Sequence, residues 1–120
     1  MMAYLSNAEV ESIVSKQGLK PFTRYTITTL SELKTDLVTI RKRGYAIDDE
    51  EHEEGVRCVG SVVRGHSGEP MAAISISGPS FRVTKEKIEH LAKPVVEAAR
   101  SLSANLGFRD EIAVATRKAI

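Results

Sequence analysis

The chain has 120 residues, with a single cysteine, no tryptophan, three tyrosines, three phenylalanines and four prolines. One thiol excludes an internal disulfide framework and a zinc site built on several thiolates, and it fits a reducing cytoplasm. No apolar run approaches the ~20 residues needed to cross a bilayer as a helix, so no membrane partner is expected. The start, MMAYLSNAEV, lacks the basic segment and apolar core of a secretory signal. Charge of one sign is lacking too: 17 basic against 16 acidic residues give a net charge of +1. Such a chain carries no electrostatic footprint for nucleic acid. The short basic run Arg41-Lys42-Arg43 falls at a predicted helix end, where it complements the helix dipole. Internal repeats and low-complexity tracts are absent.

What remains is ordinary globular material, 42% hydrophobic and 28% charged, enough for one domain with one core. Ser6 and Glu9 form a capping box ahead of Val10, Ile13 and Val14, with Gly18 as a stop. Leu19 to Thr28 reads as an extended connection. Thr29 and Glu32 open a second helix carrying Leu33, Leu37 and Ile40, which Gly44 ends. Tyr45–Asp49 reads as a strand, and a turn at Gly55 leads to a second, Val56–Val63. RGHSGEP is a hairpin connection to a third strand, Met71–Ser77, closed by Gly78-Pro79. Thr84 is the expected N-cap of a last helix that carries Pro94 and ends at Gly107. The order helix, helix, three strands, helix gives an α+β domain with an antiparallel sheet packed with helices.

Alternation sorts the strand residues onto two faces. A two-residue loop at Ser67-Gly68 would set Cys58 opposite Ser77 and Gly60 opposite Ser75. One face is then small and polar: Cys58, Gly60, Ala73, Ser75 and Ser77, joined by Ala46 and Asp48. The other is branched and apolar, suited to packing under helices. Small residues leave room, while hydroxyls, a thiol and a carboxylate supply directed polar groups, as a small polar ligand requires. The bland alternative is a solvent-facing sheet side, where Ser and Ala are ordinary.

The stretch GYAIDDEEHEEGVRCVGSVV carries a family likeness. Gly44, Asp48, Glu51, Cys58, Val59, Gly60 and Val63 fall at the spacing of the IclR-family signature of bacterial transcription regulators, and the run resembles it. Arg64-Gly65 departs from the pattern, which favours an aromatic or His and then Asp or Asn. AAISISGPSFRVT, the final helix with its Leu-Gly end, and MAYLSNAEVESIV with PFTRYTITT also resemble the family. The likeness covers residues 1–107, leaving 108–120 as a C-terminal tail. It implies the C-terminal portion of a GAF-like effector-binding domain, without the upstream strands and the winged helix-turn-helix of longer members. It also implies that Asp48, Cys58, Ser75 and Ser77 line a pocket for a small organic acid, that the chain forms a homo-oligomer (dimer or tetramer), and that DNA is bound only through an N-terminal domain missing here.

Other chemistries have weaker support in the residues. A nucleophilic Cys58 needs a base and an orienter, whereas valines flank it on its own strand face. Asp48, His52 and Cys58 match zinc ligand types but no strong spacing motif. His66 and His90 read as ordinary turn and helix residues. The acidic run Asp48 to Glu54 lacks calcium-loop spacing. No catalytic residue, metal or cofactor is therefore expected. The alternatives to a sensor are a cysteine-dependent small-molecule enzyme and an oligomerisation module without a competent pocket.

Overall fold

A computed structural model describes residues 1–109. Helix α1 (Asn7–Gln17) opens with the reciprocal capping box of Ser6 and Glu9 and stops at Gly18, whose φ is 72°. Helix α2 (Leu30–Arg43) opens at Thr29, whose side chain accepts from the Glu32 N–H, and closes at Gly44 in the left-handed region. Three strands follow: β1 (Ala46–Asp49), β2 (Val56–Arg64) and β3 (Pro70–Pro79). Helix α3 (Ile88–Asn105) completes the described fold. A 3-10 turn, Met2–Tyr4, precedes α1 and packs beside α2. There Arg41 Nε donates to the Ala3 carbonyl at 2.6 Å. Arg43 Nε donates to the Tyr45 carbonyl at 2.7 Å, so two members of the basic run are spent on main-chain acceptors.

The sheet is antiparallel throughout, in the order β1-β2-β3. Burial along β2 alternates strictly: Arg57, Val59, Ser61 and Val63 are buried, and their neighbours are half-buried. The buried side is the one α3 covers. Val59 meets Ala92 and Val95 there, with Tyr45, Ile74 and Leu91 around them. The α3 stripe Ile88, Ala92, Val95, Ala99, Ser103 supplies the matching surface at helical spacing. Pro94 sits on the solvent side of the helix. The carbonyl of His90, which has no N–H to accept from there, belongs to an exposed residue.

Three expectations change. The β2–β3 connection is not a two-residue loop. Gly65 N–H donates to the Glu69 carbonyl at 2.8 Å and Gly68 N–H to the Gly65 carbonyl at 2.9 Å, leaving His66, Ser67 and Gly68 as a three-residue loop with Gly68 at φ 84°. Such a loop alone shifts the pairing by one residue. A register irregularity at Val63/Arg64, where Met71 has no partner between Pro70 and Ala72, shifts it back. Cys58 therefore still opposes Ser77, and Gly60 still opposes Ser75. Thr84 does not cap α3, which begins at Ile88 without a side-chain cap. Its carbonyl instead accepts from Lys87 N–H, while Arg57 holds the Val83 carbonyl just before it, so the helix starts a turn later. Finally, β1 starts at Ala46, not Tyr45, and β3 runs further than expected at both ends.

The C-terminus of α3 behaves as its Leu-Gly ending suggests. Gly107 N–H donates to Ala104, and Phe108 N–H to Ser103. With Gly107 at φ 91° this is a Schellman closure. The expected tail lies, from residue 110 on, outside the described residues.

Candidate functional site

Two rows of residues cross the open face of the sheet. Asp48 on β1, Cys58 on β2 and Ser77 on β3 are direct cross-strand neighbours. So are Ala46, Gly60 and Ser75 in the next row. With strands ~4.8 Å apart, each row spans about 10 Å, and the rows lie roughly 7 Å apart. All four residues picked out from the sequence stand on this one face, away from α3. Asp48 and Cys58 are half-buried, and Ser75 and Ser77 are exposed.

Gly60 keeps the floor of the patch low. A Cβ there would lie 3.3 Å from the Ile74 carbonyl oxygen and 3.4 Å from the Ser75 Cβ, tight against the neighbouring strand. Ala46 and Ala73 beside it are also small. Cys58 is a free thiol. Asp48 faces it from one side and Ser77 from the other, so neither row sets a basic side chain beside the thiol.

Asp48 is held by the bend that follows it. Its Oδ1 accepts from Glu51 N–H at 2.9 Å, and Glu51 Oε2 accepts from Asp49 N–H at 3.2 Å. Glu50 between them has φ 60°, a left-handed conformation costly for a residue with a Cβ. The segment before α2 secures it. Thr23 Oγ1 donates to the Glu50 carbonyl at 2.7 Å, Thr26 Oγ1 donates to the Glu51 carbonyl, and Phe22 packs on His52 with ring centroids 4.8 Å apart. Burial raises the Glu51 pKa above its ordinary 4.5, and the carboxylates of Asp48, Asp36 and Asp49 push it the same way. The hydrogen bond from Asp49 N–H opposes them. One end of the patch is therefore strongly acidic, and the opposite end carries only hydroxyls.

Sequence reasoning missed Arg57. It lies on the α3 side and is 7% exposed. Its Nε and Nη2 each lie 2.8 Å from Asp49 Oδ1. Its Nη1 donates to the carbonyls of Ser80 at 3.1 Å and Val83 at 2.7 Å. One guanidinium thus ties the strand bearing Asp48 to the connection between β3 and α3. Parity offered the signal, since Asp49 is the direct partner of Arg57. Arg64, where the chain departs from the family pattern, also has a structural place. Its guanidinium packs on the rings of Tyr4 and Phe108, 4.8 and 4.4 Å from their centroids.

Residues 1–104 match the family model described as "Bacterial transcriptional regulator IclR C-terminal". The chain belongs to the IclR family. Among curated IclR-family proteins, the acetate operon repressor of Salmonella typhimurium is 41% identical over 106 residues, 88% of this chain and 39% of that protein. Among solved structures, the IclR protein of Thermotoga maritima superposes with a TM-score of 0.84 at 42% identity, over 89% of this chain and 43% of that one. An inducer-binding domain of PobR from Acinetobacter, a double mutant solved with 3-hydroxybenzoic acid, gives 0.77 at 27% identity, over 85% and 59%. The chain spans about two fifths of the length of the curated relatives it matches. Those relatives are transcriptional regulators, not enzymes. No helix among the described residues is long and apolar enough to cross a membrane.

Proposed function

We propose that this chain is the C-terminal part of the effector-binding domain of a bacterial IclR-type regulator, and that the Cys58 face of its sheet binds a small organic acid. The observation that carries the proposal is the pair of rows Asp48–Cys58–Ser77 and Ala46–Gly60–Ser75. Ser75 and Ser77 donate hydroxyl hydrogens to the ligand carboxylate. Asp48, at the acidic end, repels a carboxylate and accepts instead from a hydroxyl or hydrated carbonyl. Cys58 is a small polarizable wall between them. The ligand-bearing PobR domain supports the class of molecule, an aromatic hydroxy acid in that case.

In this reading the chain acts in the cytoplasm as a homo-oligomer, dimer or tetramer. DNA is engaged by a separate N-terminal module of the longer protein.

A thermal-shift panel of keto, hydroxy and aromatic acids tests it. A true effector at a hundred times its Kd stabilises the fold by about 2.7 kcal/mol, on the order of 10 °C for a domain of this size. The ligand should be recovered unchanged. The shift should vanish in Ser75→Ala/Ser77→Ala while the ligand-free melting temperature holds. A shift that survives the double variant would refute the assigned site, and turnover of the acid would favour an enzyme.

A further inference from the structure

The Asp48 carboxylate leans on the peptide plane between Glu50 and Glu51. The N–H of that plane belongs to Glu51 and donates to Asp48 Oδ1 at 2.9 Å. The C=O of the same plane belongs to Glu50, and Thr23 Oγ1 donates to it at 2.7 Å. No peptide bond among the described residues is cis, so the two groups point in opposite directions from one flat unit. That unit is gripped at both ends, by Asp48 at one and by Thr23 at the other.

The plane needs the second grip. Asp49, before it, is fixed by Arg57, whose Nε lies 2.8 Å from Asp49 Oδ1. The joint between them is Glu50, at φ 60°. A residue with a Cβ holds this conformation only under constraint, and any relaxation of its torsions turns the plane that follows. Turning the plane takes the Glu51 N–H away from Asp48.

Thr23 is itself fixed for this task. Its Oγ1 accepts from Tyr25 N–H at 3.0 Å, and its own N–H donates to Thr26 Oγ1 at 3.0 Å. Thr26 Oγ1 also accepts from Phe22 N–H at 3.1 Å and gives its hydrogen to the Glu51 carbonyl, on the next plane. A hydroxyl has one hydrogen to donate, and each threonine spends it on the bend. Both are half-buried, whereas Pro21, Phe22, Arg24 and Tyr25 around them are exposed.

We infer that Thr23 is a positioning residue of the ligand site. It fixes the Asp48 carboxylate through the Glu50–Glu51 peptide, and so sets the preference for an acid that carries a hydroxyl over the same acid without one. The preference rests on the acid-binding reading of the Cys58 face, in which Asp48 accepts from a ligand hydroxyl. The hold on Asp48 does not.

Amide hydrogen exchange reads the hold. Thr23→Val keeps the shape of the side chain and loses the hydroxyl. It should speed exchange of the Glu51 amide by about fivefold or more, the worth of one hydrogen bond, while the amide of the wholly buried Val59 exchanges as in the parent. Thr23→Ser should keep the parent rate. In Asp48→Ala the Glu51 amide has already lost its acceptor, so adding Thr23→Val should change its rate little. Calorimetric titration reads the preference, with lactate against propionate and 3-hydroxybenzoate against benzoate. The advantage of the hydroxy acid should shrink by about fivefold or more in Thr23→Val and persist in Thr23→Ser. A Glu51 amide indifferent to the Thr23 hydroxyl overturns the inference, as does an advantage that survives its loss. Equally faster exchange at Val59 overturns it too, because Thr23 would then serve the fold at large. Failure of all four acids to bind the parent refutes the acid-binding reading instead, and Glu51 exchange then still decides whether Thr23 holds Asp48.

Discussion

Asp48 does two jobs with one carboxylate. It faces Cys58 across the open sheet, and its Oδ1 caps the bend by accepting from Glu51 N–H. Sequence parity found the first job and missed the second, because a side chain folding back on its own turn leaves no periodic trace. The two separate by substitution. Asp48→Asn keeps an acceptor for Glu51 and removes the charge, so effector response should fall while the melting temperature holds. Asp48→Ala loses both and should cost about 0.5–1.5 kcal/mol in urea unfolding. A large loss of stability in Asp48→Asn would mean that the charge itself is structural. Glu51 adds a pH dependence. Its folded-state pKa lies above the unfolded value of 4.5, so ionising it disfavours the fold. The penalty is absent below the unfolded pKa and complete once the pH has risen past the folded one. Glu51→Gln should therefore be more stable than the parent at pH 7, with the gap closing as the pH falls toward 4.5. Urea midpoints at a series of pH values give the comparison, and a less stable Gln variant at pH 7 would contradict it.

At the scale of elements, the register of the β2–β3 hairpin was legible and its cause was not. Alternation of Val56 to Val63 against Met71 to Ser77 fixes which residues share a face. Two irregularities then cancel: a three-residue loop, and an unpaired Met71. Neither can be read from Gly65-His66-Ser67-Gly68 alone, because Gly68 suits several turn types. The irregularity lies where α3 anchors the strand. Ser103 Oγ accepts from Arg64 N–H at 2.9 Å and donates to the Ala99 carbonyl at 2.7 Å, in a residue only 4% exposed. Ser103→Ala leaves the Arg64 N–H without a partner, and should cost about 1–3 kcal/mol in chemical denaturation. A neutral result would show that the bend in the strand holds without its helix. The misplaced cap at Thr84 has a similar origin. Arg57, distant in sequence, claims carbonyls in the segment before α3, and no local motif records that.

The molecule as a whole has a one-sided core. The fold class followed from the order of elements, and the two faces of the sheet followed from alternation. How little apolar material α1 and α2 bury could not be read from their stripes. Val10 is buried in α1, and α2 has no buried residue, although Leu33, Leu37 and Ile40 are spaced to face a core. Central packing rests on Val59, wholly buried between β1, β3 and α3. Val59→Ala should cost about 2 kcal/mol, two methylene equivalents plus a cavity, at any protein concentration. Urea midpoints of the parent and of Val59→Ala give the difference, and a variant within about 0.5 kcal/mol of the parent would mean that the packing between β2 and α3 does not rest on this side chain.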